Sequence, residues 1–113
     1  MNIEQIREIC LSFPNVTEDI KWEKDLCFCI GDKMFAVTGL ADGHSSATFK
    51  VSAEEYELLI ERDGITPAPY LARHKWVLAE FSALTKNEWN AFLVQSYQLV
   101  KAKLPARIRK KLS

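Results

Sequence analysis

The sequence predicts an α+β domain, with helices packed on one antiparallel sheet in the order α-β-β-β-α-β-α. Mostly apolar faces recur at helical spacing near both ends, as Ile3, Ile6, Ile9, Cys10 and as Trp89, Phe92, Leu93, Ser96, Val100. Between them, two alternating apolar runs flank Gly31-Asp32, a hairpin signature because glycine supplies the positive φ of a tight turn. Two Ser/Thr-x-x-Glu boxes, Ser52–Glu55 and Thr85–Glu88, mark helix starts.

The first helix is expected over residues 2–12, capped by Asn2 and ended by Pro14. Asn15 to Asp25 is mostly polar and reads as a loop carrying an exposed or half-packed Trp22. Leu26–Ile30 and Lys33–Gly39 are the hairpin strands, with Cys27 and Cys29 on one face of the first. Ala41 to Ser46 reads as a loop rich in small and polar residues, and Ala47–Val51 as the third strand of a meander. The helix opened by Ser52 turns Tyr56, Leu59 and Ile60 inward and ends near Asp63-Gly64. Two prolines shape a loop from Thr66 to Leu71, and Lys75–Phe81 is the fourth strand. The last long helix follows Thr85 and breaks at Pro105, leaving a basic tail from Ala106 to Leu112 with room for a short helix.

At 113 residues the chain suits one domain, 1–113, and its hydrophobic fraction of 48% and charged fraction of 27% are ordinary for a globular protein. No apolar run approaches the roughly 20 residues of a bilayer span. The N-terminal stretch has no apolar signal core, and three cysteines is a low, odd count, so the chain reads as a cytoplasmic protein with reduced thiols. Net charge is zero but split: residues 1–65 hold 13 acidic and 6 basic side chains, and residues 66–113 hold 2 and 9. Such a split can create one acidic and one basic face. It permits nucleic-acid binding that is modest and salt-dependent.

The chemistry of common enzymes is missing from the pattern. The four glycines form no phosphate loop, and no serine sits in a nucleophile elbow. The cysteines read as apolar filler, and His44 and His74 stand at no metal-ligand spacing from them. No metal or cofactor is expected. Glu18-Asp19 and Glu54-Glu55 read as solvated loop and helix-start carboxylates. The run Arg73-His74-Lys75 before Trp76 is the most informative cluster. It suits a solvated strand end or an anion-facing rim, and it lacks the nucleophile or metal partner that a catalytic reading needs. Lys33 after the hairpin turn and Lys50 on the third strand are candidates to share one side of the sheet with Lys75, forming a strip that grips phosphates.

The segments "KMFAV" (33–37), "FKVSAEEYELLIERDGITPAPYLARHKWVLAEF" (49–81) and "SYQLVKAKLP" (96–105), with "FP" at 13–14, together resemble the MmcQ/YjbR family of small bacterial proteins. The resemblance implies a CyaY-like (frataxin-like) fold and a DNA-binding role through a double-wing arrangement of strands and helices. It supplies no catalytic residue. By position, the family's lysines fall on Lys33 and Lys50 and its "WV" pair on Trp76-Val77, with Arg73, His74 and Lys75 in the variable lead-in.

The leading expectation is therefore a non-enzymatic protein that binds double-stranded DNA through Lys33, Lys50, Arg73, His74 and Lys75. One alternative is a protein-interaction adaptor using Trp22 and Tyr70 as exposed anchors. The other is a frataxin-like metal binder. For that reading the first helix offers only Glu4 and Glu8 around Arg7, and the following loop interrupts its acids with Lys21 and Lys24. Fold likeness alone does not transfer function.

Overall fold

The Gly31-Asp32 turn sets the register of the sheet. In the computed structural model, which describes residues 1–40 and 45–112, both turn residues are left-handed, with φ of 56° and 67°. They join β2 (Asp25–Ile30) to β3 (Lys33–Gly39). With β1 (Val16–Lys21), β4 (Ser46–Lys50), β5 (Ile65–Pro67) and β6 (Trp76–Glu80) they build a six-stranded antiparallel sheet in the order β1-β2-β3-β4-β6-β5. Helices α1 (Ile3–Leu11) and α3 (Lys86–Ala102) pack on one face of it. Helix α2 (Ala53–Leu59) lies against β6, and α4 (Ala106–Leu112) forms in the basic tail.

The helix starts follow their caps. Asn2 accepts the Gln5 amide at 2.8 Å, and Ser52 accepts that of Glu55 at 3.2 Å. Thr85 and Glu88 complete a reciprocal capping box, satisfying two amides that a helix start otherwise leaves unpaired.

The core lies between the sheet and α1 and α3. Phe28, Phe49, Val77, Ile6, Leu93 and Trp89 are fully shielded from solvent within it. Trp89 stands edge-on to Phe49 and Phe81, and its indole N–H donates to the Phe81 carbonyl at 3.0 Å. Its one polar atom is thus satisfied.

A β-bulge in β3 gives this core its detail. Phe28 pairs with Ala36 but Cys29 pairs with Met34, so Phe35 is an extra residue. The bulge lets consecutive Phe35 and Ala36 both join the core. Buried Ser96 of α3 repairs the ladder there. Its hydroxyl donates to the Phe35 carbonyl at 2.6 Å and accepts the Lys50 amide at 2.9 Å.

Four details differ from the sequence expectation. Residues 16–21, read as loop, form β1, which pairs along its whole length with β2 although four of its six residues are polar or charged. Residues 65–67 form the short edge strand β5, partly inside the stretch read as a proline-shaped loop. The sheet therefore has six strands where four were expected, and the order α-β-β-β-α-β-α is too short. Helix α2 stops at Leu59, before Asp63-Gly64, and left-handed Gly64 (φ 84°) turns the chain into β5. The loop expected over 41–46 lies mostly outside the described residues, as does His44, and Ser46 already belongs to β4.

Candidate functional site

The strands alternate, so one set of side chains enters the core and the other stands on the face without α1 and α3. That open face carries Cys27, Cys29, Met34, Val37, Thr48, Lys50 and Trp76. Lysines collect at one end of it. Lys33, Lys50, His74 and Lys103 line a recess of about 480 Å³ whose apolar walls include Met34, Leu71, Trp76 and Val100. None of the residues lining it is acidic.

Each cation is placed by a separate local device. Lys33 is the first residue after the left-handed turn and pairs with Ile30. Lys50 ends β4 opposite Trp76, with its amide fixed by Ser96 and its ammonium donating to the His74 carbonyl. His74 closes the 3-10 turn Ala72–His74, which Lys75 terminates in a left-handed conformation (φ 66°). Lys103 caps the C-terminal end of α3, and the chain then buries Leu104 before turning into α4. Leu104 and Ile108 lie against Gly31, where an added Cβ would stand 2.8 Å from a Leu104 methyl. The tail is thereby pinned beside the Lys33 turn.

The lysines of the recess have no carboxylate among its lining residues. Burial lowers the proton affinity of the Lys50 ammonium, and the charge and hydrogen bonding of neighbouring Lys103 lower it further. Two ammonium groups face each other with no carboxylate in the lining between them. An anion entering the recess would relieve both the repulsion and the desolvation.

Of the five residues proposed from sequence, the recess gathers Lys33, Lys50 and His74. Lys75 departs from expectation. It precedes β6, and its ammonium sits 4.8 Å from the centre of the Tyr56 ring. Arg73 is exposed on the same 3-10 turn and does not line the recess. Lys103 also joins Lys33, Lys50 and His74; the sequence places it only among the basic residues near the C-terminus, not beside the sheet lysines. The apolar pair Leu104 and Ile108, spaced one helical turn apart around Pro105, is the signal that the tail folds back.

A second, apolar groove of about 470 Å³ adjoins the recess and shares Met34 and Leu71 with it. Its floor includes Cys27, Val37 and Thr48, and its sides carry Trp22 and Tyr70. Trp22 is 76% exposed and Tyr70 is 99% exposed. Burial raises the Cys27 and Cys29 thiols, with neighbouring Lys21 only partly opposing, and burial alone raises Cys10. All three remain thiols at neutral pH, which suits apolar filler.

The acidic residues behave differently. Arg7 binds Glu18 in a two-pronged pair at 2.7 and 2.8 Å, which pulls the Glu18 carboxyl below its usual range. Among the described residues no group of three or more His, Cys, Asp or Glu is arranged to hold a metal ion.

A family model described as YjbR matches residues 11–99. Among solved structures, the chain is similar to a Deinococcus radiodurans protein with a DUF419 domain. The two share 25% identity and a TM-score of 0.87, over 98% of this chain and 87% of that one. It is also similar in fold to a Pseudomonas syringae protein, at 23% identity and a TM-score of 0.72, over 88% of this chain and 98% of that one. No curated protein matches significantly.

Proposed function

The chain belongs to the YjbR family, and from that premise we propose that it is a non-enzymatic DNA-binding protein acting in the cytoplasm. The recess formed by Lys33, Lys50 and Lys103 holds the phosphate backbone. The observation that carries this reading is the convergence of three lysines from β3, β4 and the end of α3 on one recess without a carboxylate in its lining. Phosphates supply the charge that Lys50 and Lys103 lack there. The finer fold expectation, a CyaY-like architecture, belongs to the same reading. The placement of α1 and α3 on one face of an antiparallel sheet supports it. No helix among the described residues is long and apolar enough to cross a membrane.

Fluorescence anisotropy of a labelled duplex tests the proposal. Binding is expected at low salt and should fall steeply with added salt, because each neutralised phosphate contributes a slope of about −0.9 in log affinity against log salt. Lys103→Glu should weaken binding across all sequences and flatten that slope by about one or more. Lys75→Glu, whose wild-type ammonium is engaged by Tyr56, should change it far less. Absence of binding at low salt, indifference to salt, or equal losses for the two variants would overturn the reading.

The adaptor alternative draws on the exposure of Trp22 and Tyr70. Their placement beside the lysine recess supports a more specific use.

A further inference from the structure

We propose that the preferred ligand is single-stranded nucleic acid, with an unpaired base held in the apolar groove between Trp22 and Tyr70 while its phosphates cross the adjoining lysine recess. The inference rests on the phosphate-binding reading above and specifies the form of the nucleic acid.

Both aromatics are held where an L-residue is costly. Trp22 and Glu23 have φ of 54° and 61° and form the turn between β1 and β2, closed by the Lys24 amide on the Lys21 carbonyl at 3.2 Å. The two left-handed central residues are those of a type I′ hairpin turn, where Asn-Gly is favoured and tryptophan is not. Tyr70 has φ of 66° and is almost fully solvated. Left-handed backbone costs an L-residue roughly 1–2 kcal/mol. Large apolar rings exposed at such positions gain no burial in return. Strain of this kind collects at ligand sites.

The groove between them suits a base. Its volume of about 470 Å³ falls within the roughly 300–1,000 Å³ of small-molecule sites. The rim carries Lys21 and Asp25, whose opposite charges leave the floor of Cys27, Met34, Val37 and Thr48 without net charge. A neutral planar face belongs in the groove, and an anion belongs in the recess. A nucleotide unit joins both, and the two cavities meet at Met34 and Leu71. Within a duplex the base faces are already stacked, so this groove can take only an unpaired base. The basic residues continue past Lys103 onto α4, with Arg107, Arg109, Lys110 and Lys111 in the tail pinned at Gly31. That extent of positive charge matches a polymer better than a single nucleotide.

The test compares labelled oligo(dT), a duplex of equal length and thymidine monophosphate at one salt concentration, using the whole chain. Oligo(dT) should bind more tightly than the duplex, and the monophosphate far more weakly than either. Trp22→Ala and Tyr70→Ala should each weaken oligo(dT) binding about ten-fold, as for loss of one base–aromatic stack. Their salt slopes and duplex affinity should stay unchanged. Trp22→Phe should restore most of the loss, and oligo(dT) should quench indole emission in the wild type but not in Trp22→Phe. Equal affinity for single strand and duplex, equal affinity for monophosphate and oligonucleotide, or indifference of oligo(dT) binding to both aromatic substitutions would overturn the inference. In those cases a weakened Lys103→Glu variant would leave the phosphate reading standing. If neither form of DNA binds, both fall.

Discussion

The two faces of the sheet are drawn from alternate residues of the same strands, yet they end in opposite states. On the helix-bearing face Phe28, Phe49, Val77 and Trp89 are shielded completely, and the one indole N–H among them is paired. On the other face Cys27 and Trp76 are also buried, but Trp22 and Tyr70 stand in solvent beside them and lysines face each other. Strand β2 shows the contrast most clearly, since five of its six residues are buried although α1 and α3 cover only one side. The first face is organised to be stable. The second carries clustered lysines and strained, exposed rings, the features on which the proposed binding rests.

The largest expected effect tests the dry face. Trp89→Ala should cost about 3–5 kcal/mol, by loss of packing against Phe49 and Phe81. Urea unfolding measures it, and a cost under about 1 kcal/mol would dissolve the distinction between the faces. A change of opposite sign is expected on the open face. Trp22→Gly should leave the protein as stable or raise its stability by up to about 1 kcal/mol, because glycine accepts the left-handed turn without penalty. Stability gained there alongside binding lost would sharpen the contrast.

The smallest effect lies at the rim of the helix-bearing side, where Arg62 grips Glu88 at 2.7 Å. The Arg62 guanidinium, helped by the Thr85 amide, holds the Glu88 carboxyl down at about 2. A depressed carboxyl stabilises the fold above its unfolded pKa of about 4.3 and loses that contribution as pH falls through the folded value. Glu88→Gln should therefore cost at most about 1 kcal/mol at neutral pH, since the pair is largely solvent-screened. The gap from wild type should close between about pH 4.3 and pH 2. Melts at a series of pH values would show it, and a gap independent of pH would exclude the ion pair as its source.

Much of this was legible in the residues. Gly31-Asp32, the alternation around it and the two Ser/Thr-Glu boxes place the central hairpin and the starts of α2 and α3. Strand β1 was not legible, because Glu18 interrupts the apolar alternation of Val16 and Ile20 and the strand is held by its ladder to β2. Strand β5 is three residues long and includes Pro67, so no periodicity can announce it. For the site, strand alternation places Lys50 on the open face opposite Trp76, whereas Lys33 pairs with core Ile30 beyond the bulge and reaches the recess from the turn. Lys75 misled because a strand was assumed to begin one residue early. The chain instead makes a left-handed stop there that turns the lysine toward Tyr56. Lys103 reaches the recess from the end of α3, where the tail folds back on Gly31; the apolar pair Leu104 and Ile108 hints at that fold-back, but which surface it meets is a tertiary matter.

Ser96 also bears on the order in which the chain can complete itself during synthesis. Its hydroxyl serves residue 35, 61 positions earlier, and residue 50, 46 positions earlier. One residue on, Tyr97 donates to the Pro14 carbonyl across 83 positions. A chain that has emerged through the meander but not α3 leaves the Phe35 carbonyl and the Lys50 amide to water and the aromatic face of the sheet uncovered. The nascent sheet must wait, open and adhesive, until almost the last helix emerges.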